Sequence, residues 1–372
     1  MTTVLIAGAG LAGTRCAEAL RAESFDGRIV LLGEEPVEPY ERPALSKELL
    51  AGKRRADDLA LRPAGFWAEQ GIELRLGKRV SAFDPVGRTA TTADGAVLSW
   101  DALVLAIGAR ARRLPGSRPL AGVHHLRTLA DALALGEELE SGRRLAVVGA
   151  GFIGGEVAST ARALGVNVTL VGGGAAPLER VLGREVGGLL AERYRAHGVT
   201  LELGTPVAGL VPGRDGRVRS VRLADGRELR CDVALVAVGA VTGEIATDAC
   251  GRTAVPGVYA CGDAASAWRP RLARRLRAEH WTSAAGQAAA VAAAILGRSE
   301  PYDDVPYFWS DQFGLRLQHV GHAERWARIE LEGDGKSFGV RYLDEDGRLL
   351  AALTANRPRE IGPLRRELAL AA

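Results

Sequence analysis

Two short glycine-rich segments contain residues whose types and spacing suit the binding of dinucleotides. Both have the spacing G-x-G-x-x-G, with glycines at Gly8, Gly10 and Gly13 and again at Gly149, Gly151 and Gly154. The first glycine permits a tight turn, the second lets the backbone approach a pyrophosphate, and the third lets a helix pack closely on a strand. Two such segments in one chain predict two dinucleotides that meet, which suits hydride transfer from a nicotinamide to a flavin.

Each glycine segment lies between a predicted strand and a predicted helix. The order strand, glycine turn, helix, strand covers residues 4–7, 8–13, 14–21 and 28–32, and again residues 145–148, 149–154, 156–164 and 167–171. In such βαβ units the pyrophosphate lies at the helix N-terminus, where free N–H groups and the helix dipole favour an anion. Glu34 and Glu35 follow the second strand of the first unit, where an acid can bind a ribose hydroxyl.

The second unit lacks this acid, because Val171 is followed by Gly172, Gly173 and Gly174. An acid at this place binds the ribose hydroxyls of NADH, whereas NADPH requires room for a 2′-phosphate. The choice between NADH and NADPH therefore stays open. A second interpretation also stays open, in which this site is degenerate and binds no nucleotide.

Composition narrows the class of protein. A length of 372 residues suggests two or three domains, and a net charge of +3 gives no indication of nucleic acid binding. The four cysteines are scattered without a C-x-x-C pair, so we expect neither a disulfide framework nor a metal site. No signal peptide is visible, and the longest apolar run, residues 284–296, is too short to cross a bilayer. We therefore expect a cytoplasmic protein with free thiols and no membrane partner.

Several longer motifs along the chain are typical of one known family. They occupy residues 32–36 (LGEEP), 39–43 (PYERP), 45–47 (LSK), 126–128 (LRT), 149–156, 259–263 (YACGD), 279–281 (EHW) and 308–312 (FWSDQ). With them the chain resembles the ferredoxin reductases of bacterial oxygenase systems, the family of putidaredoxin reductase and of the reductases of aromatic-ring dioxygenases. The resemblance implies non-covalent FAD and electron transfer from NADH or NADPH to a [2Fe–2S] ferredoxin, which serves a dioxygenase or a cytochrome P450.

The repeat and the resemblance together predict the architecture. We expect an α/β fold with two Rossmann-like dinucleotide-binding domains of the glutathione-reductase type and a small α+β C-terminal domain. The predicted FAD-binding domain has two parts, residues 1–110 and 237–305, which flank an NAD(P)-binding domain at residues 111–236. Residues 306–372 form the predicted C-terminal domain, where aromatic residues and alternating strand patterns begin.

The resemblance also implies the site residues. The predicted FAD-binding residues are Gly8, Gly10, Leu11, Ala12, Gly13, Glu34, Glu35, Arg42, Lys47, Val80, Ala106, Gly108, Arg127, Gly262, Asp263, His280 and Trp281. The predicted nicotinamide-nucleotide residues are Gly149, Gly151, Phe152, Ile153, Gly154, Glu156 and Gly239. Lys47 and Glu156 are the predicted catalytic residues, paired beside the flavin, where a cation stabilises the reduced ring.

Two features predict the electron acceptor: the absence of a cysteine pair from the flavin region and the presence of one basic segment. Residues 44–48 contain no cysteine pair, so electrons should leave the flavin directly for a one-electron protein acceptor. Between Asp263 and Trp281 the chain has five arginines, which we interpret as a rim that attracts an acidic ferredoxin: Arg269, Arg271, Arg274, Arg275 and Arg277. A solvated helix face is the competing interpretation. We expect a monomer or a weak dimer.

Two other functions stay open at this point. One is an NAD(P)H oxidase or diaphorase that gives its electrons to oxygen or a quinone. The other is a flavin-binding interaction protein whose nicotinamide site has decayed. Gly172 and the short segment after Gly239, where the family has a longer loop, both favour the second alternative.

Overall fold

The computed structural model describes residues 2–370 and begins with the βαβ unit that the first glycine segment predicts. The elements up to residue 111 are β1 (Thr3–Ala7), α1 (Leu11–Ala22), β2 (Arg28–Leu32), α2 (Phe66–Glu69), β3 (Ile72–Arg75), β4 (Val80–Asp84), β5 (Thr89–Thr92), β6 (Val97–Ser99), β7 (Ala102–Leu105) and β8 (Arg110–Ala111). Helix α1 begins three residues earlier than predicted, because Gly10 already has extended backbone and serves as its N-cap.

The next part of the chain repeats this order around the second glycine segment. Its elements are β9 (Val123–His124), α3 (Leu129–Gly136), β10 (Arg144–Val148), α4 (Phe152–Ala163), β11 (Asn167–Gly172), α5 (Glu179–Leu182), α6 (Arg184–Ala196), β12 (Thr200–Leu203), β13 (Val207–Pro212), β14 (Val218–Leu223), β15 (Glu228–Arg230) and β16 (Val233–Val236). Helix α4 begins directly after Gly151, the middle glycine of its segment, as α1 begins directly after Gly10.

The remaining elements complete the first unit and form a separate sheet. They are β17 (Ala240–Val241), β18 (Ile245–Thr247), β19 (Val258–Ala260), β20 (Ala265–Arg269), β21 (Arg274–Leu276), α7 (Trp281–Ile295), β22 (Tyr307–Gln312), β23 (Leu315–Gly321), β24 (Arg328–Asp334), β25 (Ser337–Leu343), β26 (Leu349–Ala355) and α8 (Ile361–Leu370). In the C-terminal part, the sequence predicts strands at residues 315–320, 327–331 and 338–342, where β23, β24 and β25 lie, but it does not predict β22, β26 or α8.

Two parallel sheets carry the two glycine turns. The first has the order β19-β7-β1-β2-β3 and the second the order β12-β11-β10-β16-β9, and every pair in both is parallel. Their central strands, β1 and β10, are buried almost throughout, which explains why they are nearly continuous apolar runs rather than alternating ones. Strand β19 returns to the first sheet after the whole second sheet has formed, so the second unit is inserted within the first.

The basic segment forms a hairpin and not a helix. Strands β20 and β21 pair antiparallel, with Trp268 opposite Arg275 and Arg269 opposite Arg274. The competing interpretation of a solvated helix face is therefore wrong.

The C-terminal sheet is antiparallel, with the order β22-β23-β26-β25-β24, and α8 packs against β23 and β26. Its edge strand β22 also packs against α4 and α7. One strand of this sheet therefore lies beside the helix of the second glycine turn. Among residues 2–370, no helix is long and apolar enough to cross a membrane.

Candidate functional site

The two glycine turns have the same local geometry. Gly8 and Gly149 have φ angles of +116° and +118°, in the region that favours glycine. A Cβ on either residue would collide with a backbone carbonyl at the end of a neighbouring strand, that of Ala106 in the first turn and that of Ala237 in the second. Each turn therefore packs without side chains against the strand beside it.

The middle glycine of each turn fits a bound pyrophosphate. A Cβ on Gly10 or on Gly151 would meet nothing within 4 Å, so both turns have open space in front of their backbone. The third glycines are closed, because a Cβ on Gly13 or Gly154 would collide with the carbonyl of Gly8 or Gly149. The open middle glycines fit the approach of a pyrophosphate, and the closed third glycines fit close packing of the helix on the strand. The first turns of α1 and α4 carry Leu11 and Ala12, and Phe152 and Ile153, respectively.

Large apolar side chains flank both turns. Ile107, between Ala106 and Gly108, is 52% exposed, and Ile153, at the start of α4, is 41% exposed. Gly108 and Gly239 occupy equivalent places after β7 and β16, with φ angles of +62° and +102°. Exposed apolar surface beside a phosphate cradle suits a ligand that covers it. Val80 is half-buried at the start of β4 and packs against the apolar cluster that contains Trp100.

The two acids after β2 have different environments. Glu34 is exposed and pairs with Arg110 at 3.0 Å. The Glu35 carboxylate instead accepts from Arg42 and from the Tyr40 hydroxyl, both at 2.7 Å. Glu34 is thus accessible to a ribose, whereas Glu35 positions Arg42.

Asp263 lies against the first glycine turn. Gly262 has a φ of +79°, and a Cβ there would lie 2.9 Å from Ala12. The Asp263 carboxylate accepts from Arg127 at 2.6 Å, and both side chains are less than one third exposed. Arg127 in turn donates to the carbonyl of Ala109 at 3.0 Å, and its own carbonyl accepts from Arg42 at 2.5 Å. Hydrogen bonds therefore connect residues of three separate motifs, those that contain Arg42, Arg127 and Asp263.

Lys47 and Glu156 are in contact, as predicted. Lys47 Nζ lies 2.7 Å from Glu156 Oε2, and the two side chains are only 14% and 5% exposed. The Glu156 carboxylate also accepts from the Ser46 hydroxyl at 2.5 Å and from the Ser310 hydroxyl at 2.6 Å. Ser46 and Lys47 precede the second unit in sequence, Glu156 lies on α4 four residues after its start, and Ser310 lies on β22. The carboxylate is therefore where three parts of the chain meet.

The roles of Ser46 and Ser310 were not predicted. Both residues belong to motifs that were recognised, at residues 45–47 and 308–312, but Ser310 is 154 residues away from Glu156. Their small hydroxyls give no pattern of their own in the sequence. Only the packing of β22 on α4 reveals the contact.

An aromatic column joins the two predicted ligand sites. The Phe308 ring contacts Phe152 at the second glycine turn and His280 before α7, with ring centroids 4.9 and 4.8 Å apart respectively. Burial lowers the pKa of His280 to about 4, so this ring is neutral at pH 7. Trp281 follows His280 as the first residue of α7. His280 therefore serves as an uncharged packing residue rather than as a charged acid.

Strand register identifies the position of the missing acid more closely. The Gly8 N–H donates to Leu32 O and the Gly149 N–H to Val171 O, both at 2.8 Å, so Leu32 and Val171 are equivalent. Gly172 then corresponds to Gly33, and Gly173 to Glu34. A Cβ on Gly172 would lie 3.0 Å from the Cβ of Ala150, whereas one on Gly173 would have its nearest neighbours at 3.8 Å. Gly173 is therefore the position with more room for an acidic side chain.

The predicted basic rim is largely neutralised within the protein. Arg269 is 1% exposed, with its guanidinium 4.1 Å from the centre of the Tyr302 ring. Arg271 lies 3.9 Å from Asp303, Arg274 lies 3.3 Å from Glu324, and Arg277 pairs with Glu279. Arg275 is the exposed member, opposite Trp268, which is 39% exposed.

No thiol pair is available for electron transfer among the described residues. All four cysteines, Cys16, Cys231, Cys250 and Cys261, are free and buried. Burial raises the pKa of Cys231 and of Cys261 to about 12 and raises that of Cys16 well above its usual value. A thiol that keeps its proton is a poor nucleophile, so disulfide chemistry is not supported.

Comparison with known proteins identifies the family of the chain. The family model of the pyridine nucleotide-disulphide oxidoreductases matches residues 2–288, and the reductase C-terminal model matches residues 307–372. The chain is 40% identical over 375 residues to the 5,5'-dehydrodivanillate O-demethylase ferredoxin reductase subunit of Sphingobium, covering 96% of this chain and 90% of that protein. It is 38% identical over 376 residues to the ferredoxin–NAD(+) reductase component of the biphenyl dioxygenase system of Paraburkholderia xenovorans, covering 96% and 91%.

The fold has a close counterpart among solved structures. The reductase in the covalent putidaredoxin reductase–putidaredoxin complex is 35% identical, with a TM-score of 0.95 over 100% of this chain and 93% of that one. The α/β fold and the resemblance predicted from the sequence are thereby confirmed. The chain belongs to the pyridine nucleotide-disulphide oxidoreductases, among their ferredoxin reductases, and is an oxidoreductase that uses FAD and a nicotinamide dinucleotide.

Proposed function

We propose that the chain is an NAD(P)H:ferredoxin oxidoreductase that passes electrons from a nicotinamide nucleotide through FAD to a [2Fe–2S] ferredoxin serving an oxygenase. The observation that carries this proposal is the buried contact between Lys47 and Glu156. It joins a residue of the flavin region to the helix of the second glycine turn. A buried cation at the junction of two dinucleotide sites suits hydride transfer between them.

FAD supplies the redox chemistry, because it accepts a hydride and releases its electrons one at a time. The chain supplies binding, orientation and charge. Gly10 and Gly151 leave room for the two pyrophosphates, Glu34 is accessible to the flavin-side ribose, and Asp263 offers an acceptor to the sugar chain. Lys47 places a positive charge where negative charge develops on reduction, and Glu156 fixes that ammonium group.

Ferredoxin-dependent reduction of cytochrome c distinguishes the proposal from an oxidase or a diaphorase. With NADH in excess, addition of an acidic [2Fe–2S] ferredoxin should raise the rate at least about tenfold over the rate with reductase alone. An oxidase would consume oxygen at the same rate with and without ferredoxin. A protein with a decayed nucleotide site would reduce cytochrome c under neither condition.

We further propose that the ferredoxin docks at the hairpin formed by β20 and β21. Trp268 and Arg275 are side-by-side neighbours across this hairpin, and both are exposed. Aromatic residues and arginine carry most of the binding energy in protein interfaces, and a cation attracts an acidic partner. Arg271, Arg274 and Arg277 contribute less to this attraction because each has an acidic partner within the chain.

Salt is expected to slow the reaction with ferredoxin and to leave the reaction with menadione, a neutral quinone, nearly unchanged. Screening weakens attraction between exposed charges over about 10 Å at 0.1 M salt. Arg275→Glu should raise the KM for ferredoxin about 3- to 10-fold at low salt, without changing flavin reduction by NADH. Arg214→Glu, in the exposed turn between β13 and β14, is the matched control. Equal salt effects on both acceptors, or equal effects of both substitutions, would remove this docking proposal.

Nucleotide choice is expected to be relaxed, with kcat/KM for NADPH within about tenfold of that for NADH, or about 1.4 kcal/mol. Neither Gly172 nor Gly173 provides a charge that binds a ribose or repels a 2′-phosphate. Gly173→Glu should increase the ratio of kcat/KM for NADH to that for NADPH by about tenfold or more, because it adds one attraction and one repulsion. Gly173→Gln has the same shape without the charge and should change the ratio little. A wild-type protein that strongly prefers NADH would place the discrimination in other residues.

Three finer expectations stay proposals. One is the division into residues 1–110, 111–236, 237–305 and 306–372. The second is a monomer or a weak dimer, which sedimentation of the protein with FAD would test. The third is a cytoplasmic location, for which the free cysteines are the support.

A further inference from the structure

A chain of buried hydrogen bonds leads from the interior to the Glu156 carboxylate. The Ser310 hydroxyl, which contacts Glu156, also contacts the Gln312 amide nitrogen at 2.9 Å. The Gln312 amide oxygen accepts from the hydroxyl of Tyr194 on α6. Ser310, Gln312 and Tyr194 are at most 2% exposed, so water does not compete for these bonds.

The direction of each hydrogen bond follows from the chemistry of the groups. Burial and the nearby Glu156 charge raise the pKa of Tyr194, so its hydroxyl keeps its proton and donates. This donation requires the Gln312 oxygen to face Tyr194, and hence the Gln312 nitrogen to face Ser310. Ser310 accepts from Gln312 and must direct its single hydrogen to the carboxylate. Each donor in this series of hydrogen bonds, from Tyr194 through Gln312 to Ser310, therefore points toward Glu156.

A glycine on α4 makes room for these hydrogen-bonded side chains. Gly155 follows the last glycine of the second turn, and a Cβ there would collide with the Gln312 amide and lie 2.6 Å from the Tyr194 hydroxyl. Gly155 therefore allows β22 and α6 to approach the helix that carries Glu156. The motif at residues 308–312 thus has a physical role in this protein.

We propose that Ser310, Gln312 and Tyr194 are positioning residues, which hold the Glu156 carboxylate and through it the Lys47 ammonium group beside the flavin. The C-terminal sheet then acts on hydride transfer without touching either dinucleotide. This inference rests on the proposed function. It differs from a purely structural role because it requires the three residues to act through Lys47.

A matched pair of tyrosine substitutions tests the inference. Tyr194→Phe removes the first donor, and Tyr342→Phe removes a hydroxyl of equal burial that donates to the Leu182 carbonyl at 2.9 Å. We expect Tyr194→Phe to lower the limiting rate of flavin reduction by NADH about 3- to 10-fold, with an unchanged dissociation constant for the nucleotide. The flavin midpoint potential should fall, because the cation that favours the reduced ring is held less well. Tyr342→Phe should alter none of these.

A double-mutant cycle with Lys47→Ala decides whether Ser310 acts through the ammonium group. Ser310→Ala should lower the rate about tenfold in the wild-type background and have almost no effect in the Lys47→Ala background. An equal effect in both backgrounds would overturn the inference, as would an unchanged rate and midpoint potential in Ser310→Ala and Tyr194→Phe. Failure of both NADH and NADPH to reduce the flavin of the wild-type protein would instead overturn the proposed function.

Discussion

Replacement of Asp263 by Ala is expected to release FAD from the protein. The substitution removes an acceptor for the hydroxyls of the sugar chain and leaves the Arg127 guanidinium without its carboxylate partner at 2.6 Å. A hydrogen bond to a charged acceptor contributes about 1.5 to 3 kcal/mol. Its loss would weaken FAD binding by about tenfold to a hundredfold.

The measurement is the amount of FAD per chain after gel filtration, followed by titration of the apoprotein with FAD. The wild-type protein should retain one FAD without a covalent bond, so acid treatment should free all of it. Asp232→Ala breaks a comparable pair with Arg144 in the second unit, and should retain full FAD. An Asp263→Ala protein that is purified with a full complement of FAD would contradict the assigned role of Asp263.

Lys47→Ala is expected to slow flavin reduction by NADH about a hundredfold, which is the effect of removing one preorganised group that stabilises developing charge. The dissociation constant for NADH should change far less, because Lys47 acts on the reaction rather than on the nucleotide. Anaerobic stopped-flow measurements across a range of NADH concentrations separate the limiting rate from the dissociation constant.

The same substitution leaves the Glu156 carboxylate buried without its cation, so the stability of the variant must also be measured. FAD content and the melting temperature show whether the variant is folded, and Lys47→Arg should recover part of the rate because it keeps the charge. Lys53→Ala, at an exposed lysine six residues further along, is the matched control. An effect of Lys47→Ala on the dissociation constant alone would show that Lys47 only binds the nucleotide.

The parts of the fold with a local pattern could be predicted from the sequence. Strand Arg28–Leu32 has the predicted bounds, because buried parallel strands are short apolar runs. Helices α1 and α4 were predicted but placed too late, since their first turns consist of glycine-loop residues with no helical pattern. Strand β22 was missed because its residues are aromatic and polar together, facing α4 as well as its own sheet.

The site was predictable where a residue belongs to a motif and not where its partner is distant. The contact between Lys47 and Glu156 was predicted, whereas the role of Asp263, whose neighbour Gly262 lies beside Ala12 of α1, stays a prediction. The charge of the basic segment was overestimated, because Glu324 lies 50 residues beyond Arg274 and its approach depends on the tertiary structure. The sequence places the missing acid at Gly172, at the end of the strand, whereas the residue that strand register makes equivalent to Glu34 is Gly173.

The central claim is that electrons pass from a nicotinamide nucleotide through FAD to a ferredoxin, and one anaerobic titration tests it. The protein with FAD is first titrated with NADH while the flavin absorbance near 450 nm is followed. We predict that about one equivalent of NADH bleaches the flavin, and that about two equivalents of an oxidised [2Fe–2S] ferredoxin restore the absorbance within the turnover time. A flavin that neither NADH nor NADPH bleaches, or a reduced flavin that ferredoxin does not reoxidise, would contradict the claim.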